Sequence, residues 1–189
     1  MVQTTVYLLR QAETVPEEGV ENSEWELSSE GLLQARDVVF KMRDLGIDVI
    51  YSSPYKRGIS TVKPFAHKMG LPILLEEGFR ELNAVGEYLA PAEFQTLSKK
   101  MWADVTFSAE GGESIRECQL RFIAALNKVA KENAGKTILI CTHGMPLGAA
   151  LKVFDNAFGY DDWARVKMPD VFKLVSDGEA ARWDKSYTF

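Results

Sequence analysis

The chain is expected to fold as an α/β domain, a three-layer sandwich on a mainly parallel central sheet. Two observations lead there. Short apolar runs, of the kind that form strands covered on both faces, alternate with longer segments whose apolar residues recur at helical spacing. Polar residues also stand directly behind three of those runs, at Arg10-Gln11, Ser52-Ser53 and Thr142-His143. In open α/β sheets ligands bind beyond the carboxyl ends of the strands, so the three pairs are expected at one rim.

The elements follow in order. Residues 6–9 form the first strand, and residues 14–26, acidic and carrying Pro16, Gly19 and Asn22, form a loop. Ser28 caps a helix whose apolar face is Leu32, Ala35, Val38, Val39 and Met42, and which ends at Gly46. Residues 48–52 are the second strand. After the turn at Ser53-Pro54 a helix runs to Met69, stopped by Gly70 and Pro72. Residues 73–75 are a third strand. Residues 76–112 lose periodicity apart from a helix over 91–99, and are expected to form a small cap insert over the end of the sheet. An amphipathic helix over 113–131, a strand over 137–141 and a helix over 145–154 follow. Two alternating runs, 171–175 and 180–183, flank the turn Asp177-Gly178 as an antiparallel hairpin does.

A chain of 189 residues with 46% hydrophobic residues is one ordinary globular domain, 1–189. A net charge of −5 does not invite nucleic acid or acidic lipid, so an anionic ligand needs a local basic pocket. Cys118 and Cys141 have no ligand or disulfide spacing, so no metal site is expected and the reducing cytoplasm is the default compartment. No apolar run approaches the roughly 20 residues a membrane helix needs, and the first residues do not read as a signal peptide.

Arg10 follows a strand and can offer two planar donors to phosphate oxygens, although a surface ion pair is the plainer reading. Arg57 stands at a helix start, where the helix field favours an anion. His143 ends a strand before Gly144. A lone histidine there is more often structural, and a glutamate in a loop, such as Glu81, is more often a surface charge. Lys56 and His67 read as solvent-facing or structural.

Together these segments resemble the histidine phosphatase superfamily, which includes the phosphoglycerate mutases. The resemblance rests on Leu9-Arg10-Gln11-Ala12-Glu13-Thr14, on Ser52-Ser53-Pro54 with Arg57 and Thr61, on Arg80-Glu81-Leu82, on Gly112-Glu113-Ser114 with Arg121, and on Thr142-His143-Gly144. It spans roughly residues 5–147. It implies a phosphoglycerate mutase-like fold in which Arg10, Arg57 and His143 bind a phosphoryl group. Gly144 would let backbone amides approach it, and Glu81 would protonate the leaving oxygen. Glu113 and Arg121 would be mainly architectural. The implied ligand is a small phosphomonoester or inorganic phosphate, and no cofactor is implied.

Two departures matter. The family's Gly-x-Trp-x-Gly element is blurred to Gly86-Glu87-Tyr88-Leu89-Ala90, and the short insert resembles a compact phosphatase cap more than that of a glycolytic mutase. More important, the resemblance puts Gln11 where the family has its nucleophilic histidine. An imidazole nitrogen has an in-plane lone pair, whereas that of an amide is delocalised into its carbonyl. The phosphohistidine route is therefore impaired as the sequence stands. Histidine and glutamine codons differ by one base, so a natural pseudoenzyme and an introduced substitution both fit. The alternative to an impaired phosphatase is a non-catalytic phospho-ligand binding protein.

Overall fold

The computed structural model describes residues 3–85, 88–177 and 181–189. Six strands form one sheet: β1 (Thr4–Arg10), β2 (Val49–Ser52), β3 (Ile73–Leu75), β4 (Thr137–Thr142), β5 (Asp170–Ser176) and β6 (Ala181–Trp183). Their order is β3-β2-β4-β1-β5-β6. The first four run parallel, and the last two add an antiparallel edge beside β1.

The helices are α1 (Ser29–Met42), α2 (Lys56–Met69), α3 (Pro91–Ala103), α4 (Ile115–Glu132), α5 (Gly144–Phe154) and α6 (Tyr160–Arg165). The period-2 alternation of β1 explains the layers. Tyr7 and Leu9 join Ile50, Leu139 and Cys141 against Val38, Met42, Val62 and Phe65 of α1 and α2. Val6 and Leu8 point the other way, with Ile138 and Ile140, into a cluster with Phe122 and Leu126 of α4 and Leu147 and Leu151 of α5. The predicted three-layer α/β architecture is the one observed.

Local chemistry starts the helices where expected. The Ser28 hydroxyl accepts from the Gly31 amide, and Ser114 and Glu117 close a reciprocal capping box ahead of α4. Gly70, at φ +66°, caps α2 in the left-handed region.

Several expectations need correction. The buried stripe of α1 is Gly31, Ala35, Val38 and Met42, while Leu32 is 54% exposed. The rest of the expected face holds, with Ala35, Val38 and Met42 buried and Val39 half-buried; Gly31 takes the place of Leu32 because it packs closely against the Glu13 backbone. That helix stops at Met42, before Gly46, which instead turns the following loop at φ +66°. The helix expected over 91–99 continues to Ala103, and α6 was not foreseen, since six residues carry too little periodicity to register. The hairpin strands pair antiparallel, but Gly178 and Ala180 lie outside the described residues, as do Gly86 and Glu87 of the blurred element.

Candidate active site

The three polar pairs do meet. The Gln11 amide donates to the Thr142 carbonyl (2.9 Å) and the Ser53 amide to that of Cys141 (2.9 Å), so sheet bonding continues just past the strand ends. Thr61 then ties strand to helix: its hydroxyl accepts from the Ala12 amide (3.0 Å) and donates to the Arg57 carbonyl (2.7 Å).

Beyond this rim opens a cavity of about 370 Å³, lined by Arg10, Gln11, Arg57 and Glu81 among others. Arg10 donates to the Val166 carbonyl (2.5 Å), which follows α6, and its Nε is buried without a partner. The same guanidinium lies against Gly144, where a Cβ would come 3.1–3.3 Å from it. Glycine there admits the arginine. Arg57, 3% exposed, donates to the Asn22 carbonyl and stands 5.0 Å from the Tyr55 ring and 5.6 Å from that of Trp25.

Gln11, although it stands just past a strand end, is buried, at 5% exposed. Residues 14–26 and Met168 fold over it as part of the cavity wall. Its Nε2 makes only a long contact with the Met168 sulfur (3.9 Å), and its Oε1 is buried without a partner. An amide in this state has hydrogen-bonding capacity that the protein does not use.

Glu81 is held by its backbone. Arg121, paired with Glu113 at 2.6 Å, donates to the carbonyls of Gly78, Arg80 and Glu81. Arg80 also pairs with Glu113. Burial pushes the Glu81 carboxyl above its usual range, against the pull of Arg57, the Leu82 amide, Arg10 and Arg121. Burial lowers Arg10 and Arg57 from the ordinary arginine value while the Glu81 charge resists in both, and a guanidinium starts high enough to remain charged.

His143 and Gly144 do not line the cavity. His143 is fully buried, its ring 5.3 Å from that of Tyr55, which does line it. Burial, then Arg57, Arg121 and Arg10, hold His143 well below the ordinary imidazole value, so it is neutral at pH 7. Its Nε2 lies 2.7 Å from the Ser53 hydroxyl, which already accepts from the Tyr55 amide. Which of the two donates in that bond follows the imidazole tautomer, and Nδ1 is buried without a partner.

The sequence reading overlooked Tyr55, Asn22, Trp25 and Val166. Tyr55 lies between Pro54 and Arg57 and could have been found there. The others reach the site from loops with no local signal. Lys56 and His67 are exposed, as expected. Cys118 and Cys141 are buried free thiols, pushed up by burial. Among the described residues no helix is long and apolar enough to cross a membrane.

A family model described as the histidine phosphatase superfamily (branch 1) matches residues 6–176. A probable phosphoglycerate mutase GpmB from Yersinia enterocolitica is 32% identical over 155 residues, covering 77% of this chain and 72% of the relative. Among solved structures, YhfR from Bacillus stearothermophilus superposes with TM-score 0.83 at 22% identity, covering 95% of each chain. A phosphoserine phosphatase mutant from Entamoeba histolytica, in complex with phosphoserine, gives TM-score 0.78 at 21% identity over 96% of this chain and 95% of its own. At these identities the two structures support the fold alone.

Proposed function

This chain belongs to the histidine phosphatase superfamily, and we propose that it binds small phosphomonoesters in the cavity at its strand ends, with phosphohistidine catalysis impaired by Gln11. One observation carries the reading: Arg10 and Arg57, both charged, share a single cavity with Gln11 and Glu81. Two guanidinium groups supply fork-shaped donors for phosphate oxygens, and the start of α2 adds its field.

In this proposal Gln11 stands at the nucleophile's place in the relatives and donates its amide NH₂ to a phosphate oxygen. Glu81, whose raised proton affinity keeps a proton at higher pH than an ordinary carboxyl, protonates the leaving oxygen. His143 acts in its neutral form, so Arg10 and Arg57 carry the charge stabilisation. Gly144 serves by admitting Arg10. Segment 76–112 is the cap of a single domain, and the protein works in the cytoplasm.

The second reading, a phospho-ligand binding protein without catalysis, is favoured by the unpaired Gln11 Oε1 and by the absence of His143 from the lining. Both readings require phosphate to bind. Calorimetric titration should detect inorganic phosphate at millimolar concentration or below. Arg57→Ala should weaken it roughly ten- to hundredfold, because a hydrogen bond to a charged group contributes about 1.5–3 kcal/mol. Heat changes that are absent at millimolar phosphate, or unaltered by Arg57→Ala, would rule out both.

A further inference from the structure

The cavity is chemically one-sided. Among the described residues its cationic side chains are Arg10 and Arg57, and its other ionisable lining residues besides the tyrosines, Glu21 and Glu81, are acids. Two nearby cations are already committed: Arg80 to Glu113, and Lys56 to Glu26 on the exposed surface. A second anionic group on a bound ester would therefore meet the Glu21 carboxylate and the proton-holding Glu81 carboxyl, and no further cation among the described lining residues. Its hydration would be replaced only by neutral donors such as Thr14 and Asn22, with no charge to offset its own.

The remaining wall is apolar and largely aromatic. Trp25, Tyr55, Tyr88, Leu89, Phe94 and Met168 line it. Trp25 and Tyr88 touch edge to face with centroids 6.2 Å apart, joining the loop of residues 14–26 to the segment after Glu81. Tyr55 and Trp25 also stand 5.0 and 5.6 Å from the Arg57 guanidinium carbon. The aromatic surface thus begins within one ring's reach of the phosphate-binding groups. A volume of about 370 Å³ accommodates a small molecule.

From this we infer that the preferred ligand is a phosphomonoester of an uncharged aromatic alcohol, with its ring held between Trp25, Tyr55 and Tyr88, and that esters carrying a second anionic group are disfavoured. The inference rests on the proposed phosphate-binding reading and adds the identity of the alcohol. Bound at Arg10 and Arg57, the phosphoryl group turns its ester oxygen toward Glu81 and the aromatic wall. The ring then gains stacking and burial that a glycerate skeleton does not.

The present chain suits the test, because impaired turnover leaves the ligand intact. Dissociation constants for inorganic phosphate, phenyl phosphate and 3-phosphoglycerate would be measured by calorimetry at pH 7.5. Phenyl phosphate should bind at least tenfold more tightly than either of the others. In Tyr88→Ala, and separately in Trp25→Leu, the ratio of the phosphate to the phenyl phosphate constant should fall at least threefold, with the melting curve confirming a folded chain. If inorganic phosphate binds while 3-phosphoglycerate equals or exceeds phenyl phosphate, the aromatic preference is wrong and the phosphate site stands. An unchanged ratio in both folded variants also overturns the preference. If inorganic phosphate does not bind at all, the reading beneath the inference fails and takes the inference with it.

Discussion

The floor and the roof of the cavity are made in different ways. On the floor, Gln11 and Ser53 are tied to β4 by backbone hydrogen bonds, and Thr61 ties the start of the loop after β1 to α2. Each polar side chain there sits at a place dictated by sheet register. The roof is lined by residues of the loop 14–26, by Leu82, Tyr88 and Phe94, and by Met168, with Trp25 edge to face on Tyr88. The Trp25 indole is anchored locally, to the carbonyls of Glu17 and Val20. A floor built on backbone geometry tolerates a change of side chain without moving its neighbours. A roof built on side-chain contacts is where the ligand can change. Function is expected to respond most steeply to the floor, and selectivity to the roof.

The largest expected effect breaks the floor's deficiency. Gln11→His should raise kcat/KM for phosphomonoesters by about 10⁴ to 10⁶, the usual scale for a missing nucleophile. The phosphorylated intermediate should be acid-labile and base-stable, as an N–P bond is. In that background Glu81→Gln should slow esters with poor leaving groups more than aryl esters, since only the former need the proton, whereas His143→Ala should depress both. A revertant as inactive as the present chain across a broad panel would mean that the floor binds without catalysing.

An intermediate effect is read in stability. Folded His143 holds its proton far more weakly than an unfolded histidine does. Its contribution to stability is complete above the unfolded value of about 6.5 and is lost as pH falls below it, because the unfolded chain then takes up the extra proton. The slope reaches at most about 1.4 kcal/mol per pH unit for the one extra proton. Urea unfolding between pH 7.5 and 5 should show this loss, and His143→Asn should flatten it. Identical slopes in the two proteins would place the solvent nearer to His143 than its burial indicates.

The smallest expected effect tests whether the floor is as tolerant as its backbone bonding implies. Gln11 is buried but contributes only one long contact to sulfur. Gln11→His should therefore change stability by about 1 kcal/mol or less, a shift in Tm within roughly 2–4 °C for a chain of this size. A thermal scan showing a much larger drop would mean that the glutamine is structurally committed and the roof is packed upon it.

Much of the floor was legible in the sequence. Apolar runs followed by Arg10-Gln11, Ser52-Ser53 and Thr142-His143 mark strand ends, and parallel pairing leaves few places for those ends to go. The resemblance then singled out Arg57 and Glu81, which line the same cavity. Less legible were the burial of Gln11, which depends on a loop without periodicity, and the exposure of Leu32, which depends on Gly31 packing closely against the Glu13 backbone. The support of Arg10 by Val166 was hidden because 156 residues separate the two.

By itself the sequence determined the layers, the parallel core and the polar residues at the strand ends, because strand and helix periods and turn residues are properties of neighbours along the chain. It also determined that a glutamine follows Arg10, and with it the lack of an imidazole there. Only the tertiary structure decided which of those residues face one cavity, that His143 is enclosed and neutral, that Glu81 holds its proton more tightly than usual, and that the opposite wall is aromatic. Those properties come from desolvation and from contacts between segments far apart in the chain, and neither can be read from local order.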